Sequence, residues 1–174
     1  MKTFKRIGLA ALTALALVVT SCSSDDGASG GPSGSALDTY VNATVAGAAF
    51  ETFSIQGVSL GTASKNGTFV TVSGIAKSSA TATDSRVITI ALMNVTGTGT
   101  ITLNANTNNG VLSYFDSATN KSWASGNCDA GTATVNVTTF NDTKIEGTFT
   151  FTGADSDNCS STKVVTNGSF RGTF

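Results

Sequence analysis

The chain has 174 residues, 40% apolar and 12% charged, with a net charge of −1, three cysteines, one proline and no histidine. This composition is too apolar for a disordered polyelectrolyte, and it offers no basic surface that could hold nucleic acid by counterion release. The missing histidine removes the commonest general base, the commonest metal ligand and every Ser-His or Cys-His nucleophile pair, so neither an enzyme nor a metal or cofactor is expected.

Lys2, Lys5 and Arg6 precede an apolar run from Ile7 to Val19, and Thr20, Ser21 and Cys22 follow it. A basic start, an apolar run too short to span a bilayer and small residues after it predict an export signal over residues 1–21. Val19-Thr20-Ser21-Cys22 resembles the bacterial lipobox, whose cysteine is lipidated and becomes the new N-terminus. The resemblance implies lipidation at Cys22 and contact with the membrane through that anchor alone. Ser23-Ser24-Asp25-Asp26 is similar to the Cys-Ser-acidic start of Bacteroidota lipoproteins carried to the outer face of the outer membrane. The expected location is therefore the outer membrane, facing the cell surface, with the periplasmic face as the alternative.

Residues 22–36 continue as a Gly- and Ser-rich tether, whose 14 residues after Cys22 would reach about 20 Å as a flexible coil. Removing residues 1–21 takes away three of the 10 basic groups and none of the 11 acids, which leaves a net charge of −4.

From Leu37 to Phe174 the pattern predicts one all-β domain. Strands are expected at Tyr40 to Val45, Ala49 to Ile55, Thr68 to Ile75, Arg86 to Val95, Gly99 to Leu103, Val111 to Phe115, Lys121 to Ser125, Thr132 to Thr138, Ile145 to Phe151 and Val164 to Phe174. In the segment 145–151, Ile145, Phe149 and Phe151 share one face while Glu146, Thr148 and Thr150 share the other, as in a sheet with one wet side. Asn141-Asp142 supplies a hairpin turn between this segment and Thr132 to Thr138, which makes the two antiparallel neighbours. Val87 to Met93 is apolar on both faces and reads as a central strand covered on each side. About ten short strands with few helix signals predict an antiparallel β-sandwich or flattened barrel. A transmembrane barrel is the rival, but its aromatic girdles would need more than the 7% aromatic residues present.

Three cysteines form an odd set in an exported protein until Cys22 is assigned to lipid, which leaves Cys128 and Cys159 to form a disulfide. Gly57-Val58-Ser59-Leu60-Gly61 matches the nucleophile-elbow letters and Ser160-Ser161-Thr162-Lys163 matches S-x-x-K, but neither has the helix its chemistry requires. Asp155-Ser156-Asp157-Asn158 is oxygen-rich yet lacks the glycine and distal glutamate of a calcium loop. Tyr114 and Trp123 flank a hairpin at Asp116 to Asn120, where they could either contact a ligand such as a sugar or cap the core.

Val41 to Phe50, Gly131 to Val137, Ile145 to Phe151 and Val165 to Phe170, taken together, resemble a family of uncharacterised Bacteroidota lipoproteins with an all-β domain following a lipobox. The resemblance implies location and fold and lends no catalytic residue. The expected function is a non-enzymatic, lipid-anchored envelope protein whose β-domain binds or presents a glycan or protein partner. The alternatives are a structural envelope component without a small ligand and an unrecognised carboxylate-dependent hydrolase. The sequence leaves the oligomeric state open.

Overall fold

A chain that alternates Thr with Val, Ile or Phe can bury one side of every strand, and the fold that results is antiparallel throughout. The computed structural model describes residues 39–157 and 159–174. The expected signal peptide, the lipidated Cys22 and the tether through residue 36 lie outside the described residues. In chain order the strands are β1 (Tyr40–Val45), β2 (Ala48–Glu51), β3 (Ser54–Ile55), β4 (Val58–Ser59), β5 (Thr62–Asn66), β6 (Phe69–Lys77) and β7 (Ser85–Leu92). They continue as β8 (Gly99–Asn104), β9 (Gly110–Asp116), β10 (Lys121–Ala124), β11 (Thr132–Phe140), β12 (Lys144–Asp155) and β13 (Thr162–Thr173).

All but β3 and β4 belong to one sheet that folds over on itself. One layer runs β8-β11-β12-β13-β1-β2, the other β10-β9-β7-β6-β5, and β12 joins them. Along one edge β12 pairs with β11 as far as Thr152, then with β10 through Ala154 and Asp155. At the far side the chain after β2 bridges the layers. Thr52 N–H donates to the Val41 carbonyl of β1 at 3.2 Å, and Phe53 N–H donates to the Ile75 carbonyl of β6 at 2.8 Å. Gly74 on β6 makes this approach possible, because a Cβ there would strike the side chains of Thr52 and Val41. The result is one sheet folded into two packed layers, as in a sandwich or flattened barrel, and register shifts in the β1–β13, β11–β12 and β12–β13 pairs add to its curl.

Phe50, Phe149 and Phe170 fill the space between the layers together with Ile88, Ile90, Leu92, Leu103, Leu112 and Ile145, each almost fully buried. Each such side chain contributes about 1.5–3 kcal/mol by leaving water. The expected alternation in 145–151 holds: Ile145, Phe149 and Phe151 are buried while Thr148 and Thr150 are exposed. The hairpin before it also forms, with the Asn141 side chain accepting the N–H groups of Thr143 and Lys144.

Three strand expectations change. Ala49 to Ile55 is not one strand, because β2 ends at Glu51 and β3 pairs instead with β4 in a small separate hairpin. Its turn residues Gln56 and Gly57 both have positive φ, the backbone of a tight two-residue hairpin. β5 has no large apolar residue to announce it, and pairing with β6 alone makes it a strand. Val87 to Met93 is central, between β6 and β9, yet it is covered on one face only. Ile88, Ile90 and Leu92 are buried, whereas Val87, Thr89 and Ala91 are half-buried and Met93 is exposed. The apolar outer residues meet no further layer among the described residues.

Candidate functional site

Trp123 and Tyr114 face each other across the β9–β10 pair, with ring centroids 5.8 Å apart, and both point into the core. They are 5% and 3% exposed. Of the two roles left open by the sequence, their burial supports the core one: the pleat sends both rings inward although the hairpin turn they flank is exposed. Trp123 Nε1 donates to the Ser161 hydroxyl at 3.1 Å, and the Lys163 ammonium lies 4.8 Å from the centre of its ring. Lys163 of the S-x-x-K match thus packs on tryptophan. Ser59 of the elbow match donates to the Thr39 carbonyl and accepts the Gly61 N–H, a turn-fixing role.

Beneath Trp123 the Asp155 carboxylate is buried and fully engaged. It accepts hydrogen bonds from Lys121 Nζ at 3.0 Å, the Asp157 N–H at 3.0 Å and the Ser161 hydroxyl at 3.2 Å. The Asp157 N–H and the Lys121 ammonium, in that order and against burial, hold its carboxyl below the usual carboxylate range. Of the oxygens that the calcium-loop pattern offered, those of Asp155 are spent on the protein. Folding favours the ionised form of Asp155, so its stabilisation is complete above the ordinary carboxylate range and is lost as the pH falls through the lowered value. Asp155→Asn is accordingly expected to flatten the acid limb of stability against pH in urea titrations, and an unchanged limb would refute this role.

The Cys128–Cys159 disulfide closes the same corner, with Cα atoms 6.2 Å apart. Two further carboxylates are held in ion pairs. Glu146 is taken by Arg171 Nε at 2.7 Å and Lys144 Nζ at 3.3 Å, and Asp142 by Lys65 at 2.8 Å. Among the described residues no cluster of three Cys, Asp or Glu side chains could hold a metal.

The outer face of the β8-β11-β12 layer is different in kind. Its strands are in register, so side chains form straight rows across it: Thr102, Thr134 and Thr150 in one, Thr100, Asn136 and Thr148 in the next, and Asn104, Thr132 and Thr152 in a third. Sheet geometry spaces the rows at about 6.7 Å along each strand and about 4.8 Å between strands. No charged and no aromatic side chain stands in these rows. The side chains of Thr100, Thr102, Thr132, Thr134, Asn136, Thr148 and Thr150 make no hydrogen bond to any described residue, which leaves their donors and acceptors to the solvent.

No protein family, curated protein or solved structure matches this chain.

Two shallow grooves cross this hydroxyl face where β11, β12 and β13 meet. One, of about 420 Å³, is lined by Thr134, Asn136, Thr148, Thr150, Asn167 and Ser169, and the other, of about 330 Å³, by Thr132, Thr150, Thr152, Val164 and Thr166. Neutral donors and acceptors in an open groove suit an extended, uncharged ligand that can exchange hydrogen bonds along its length. The sequence contained the signal, since the runs Thr132-Ala133-Thr134 and Thr148-Phe149-Thr150 are explicit. Periodicity alone made them the wet side of a strand, without showing that three strands place them side by side.

Proposed function

We propose that this chain is a lipid-anchored envelope protein whose β-domain binds an uncharged, hydroxyl-rich glycan on the outer face of β8, β11, β12 and β13, without catalysing a reaction. Residues 1–21 direct export, Cys22 carries the lipid, and residues 22–36 hold the domain away from the outer membrane on its cell-surface side. The observation that carries the binding reading is the set of uncharged rows of Thr and Asn side chains, in which Thr100, Thr102, Thr132, Thr134, Asn136, Thr148 and Thr150 have no internal partner among the described residues. Side chains that serve neither the core nor an ion pair are free to meet a partner, and their neutrality suits a polymer that is itself neutral. The rival reading, a structural envelope component, draws support from the burial of Tyr114 and Trp123, which withdraws the strongest sugar-stacking groups from the surface.

Cells producing the full-length protein separate the two. Retention on at least one insoluble neutral polysaccharide is expected, and placing charge on the face with Thr134→Lys and Thr148→Lys should weaken it at least tenfold, equivalent to about 1.4 kcal/mol. Both positions are exposed, so circular dichroism should be unchanged. In parallel, incorporation of labelled palmitate should vanish in Cys22→Ala. Binding indifferent to the two lysines, or no retention on any neutral glycan, would leave the structural reading.

A further inference from the structure

A separate cleft of about 300 Å³ opens at one end of the two layers, where β6 finishes, β7 begins and β9 turns into β10. Its walls carry Lys77, Asp84, Arg86 and Asp116. Among the described residues, Lys65, Lys121, Lys144 and Arg171 are each bound to a carboxylate, and Lys163 lies over Trp123. The two remaining cations, Lys77 and Arg86, both line this cleft, and neither is in an ion pair even though two carboxylates share the walls.

Arg86 is held in place from below. Its Nη1 donates to the Ala49 carbonyl at 3.5 Å, and its guanidinium lies 6.0 Å from the centre of the Phe50 ring. A guanidinium has five N–H donors in a rigid fork, so most of them stay available to a ligand. Asp116 stands directly opposite Arg86 in the β7–β9 register and uses one carboxylate oxygen to accept the Ala118 N–H at 3.0 Å. Its other oxygen, and the whole carboxylate of Asp84, take no hydrogen bond from the described residues.

Two cations and two carboxylates line one small concavity with no ion pair among them, which makes a complement for a ligand that carries both charges. We propose that this cleft binds a small zwitterion of the amino-acid or free-peptide class, its carboxylate on Arg86 and Lys77 and its ammonium on Asp116 and Asp84. An anion would meet the two aspartates unpaired, and a cation would meet Lys77 and Arg86 in the same way, so each lone charge carries a desolvation cost that the zwitterion avoids.

Titration of the full-length protein in nanodiscs with alanyl-alanine, followed by amide NMR shifts at residues 76–78, 84–86 and 116–118, tests this. Saturable binding with a dissociation constant on the order of 1 mM is expected. N-acetylation or C-terminal amidation of the dipeptide should each weaken binding about tenfold, as should Lys77→Gln, which sits on the lip of the cleft and leaves the core untouched. Arg86→Gln should abolish it. No saturation, equal affinity for the capped dipeptides, or full affinity in both variants would overturn the proposal. Neutral-glycan retention is read on another face through Thr134 and Thr148, so the failure of one reading is distinguishable from the failure of the other.

Discussion

Replacing Phe149 by alanine is expected to cost the fold about 3–5 kcal/mol, the largest loss from any single side chain considered above. Phe149 sits in the middle of β12, which has β11 on one edge and β13 on the other, and it is 2% exposed. Its ring centroid lies 6.3 Å from that of Phe151 and 6.2 Å from that of Phe170, so one truncation strips two further aromatic residues of a neighbour. The surroundings are ill suited to closing the gap. Gly168, directly opposite on β13, has no side chain because the Phe149 ring occupies the place where a Cβ would stand. A cavity floored by backbone collapses little, which places the cost in the upper part of the usual range. Urea denaturation checks this through the midpoint, with Thr150→Ala as the control: one residue along on the wet face, it should shift stability by no more than about 0.5 kcal/mol. Equal effects at the two positions would mean that the alternation of β12 is misassigned.

Loss of the Cys128–Cys159 bond should cost nearly as much. The bond spans 31 positions, for which loop closure in the unfolded chain corresponds to roughly 3–4 kcal/mol. The local structure points the same way. Both cysteines have positive φ, a backbone region that disfavours side-chain-bearing residues, so each loop holds a conformation it would not choose unaided. The second loop is tied to the Asp155 corner by the Asp155 N–H bond to the Ser161 carbonyl at 2.9 Å and the Cys159 N–H bond to the Asp155 carbonyl at 3.2 Å. Freeing Cys159 therefore loosens the segment that carries Ser161, the acceptor for Trp123. A Cys128→Ala/Cys159→Ala variant is expected to unfold at lower urea, and reductant should destabilise the wild type while leaving the variant unchanged. Equal midpoints for the two proteins would show that the corner holds without its covalent tie.

These two predictions draw on different layers of information. The Phe149 face was legible beforehand, because apolar and hydroxyl residues alternate without a break from Ile145 to Phe151 and a strand has few other ways to place them. The cysteine pair was legible from parity, once Cys22 was set aside for lipid. β5 was not legible: Thr62-Ala63-Ser64-Lys65-Asn66 has no hydrophobic signal, and only the neighbouring β6 turns it into a strand. Nor could local pattern decide the direction of Trp123. A shift of one residue in the β9–β10 register would have turned it to solvent, and that register depends on packing against β7 and β12.

The two candidate sites divide along the same line. The threonine rows exist in the sequence as separate alternating runs, and pairing of β8, β11 and β12 is needed to align them into one face. The charged cleft has no local signature, since Lys77, Asp84, Arg86 and Asp116 come from the end of β6, the start of β7 and the end of β9. By itself the sequence determined the all-β class, the position of most strands and the wet and dry sides of cleanly alternating ones such as Ile145 to Phe151, because side-chain alternation is a property of neighbouring residues. Which strands lie together, which aromatic rings are sealed inside and which charges share a cleft were decided only by the tertiary structure, because those depend on contacts between segments far apart in the chain.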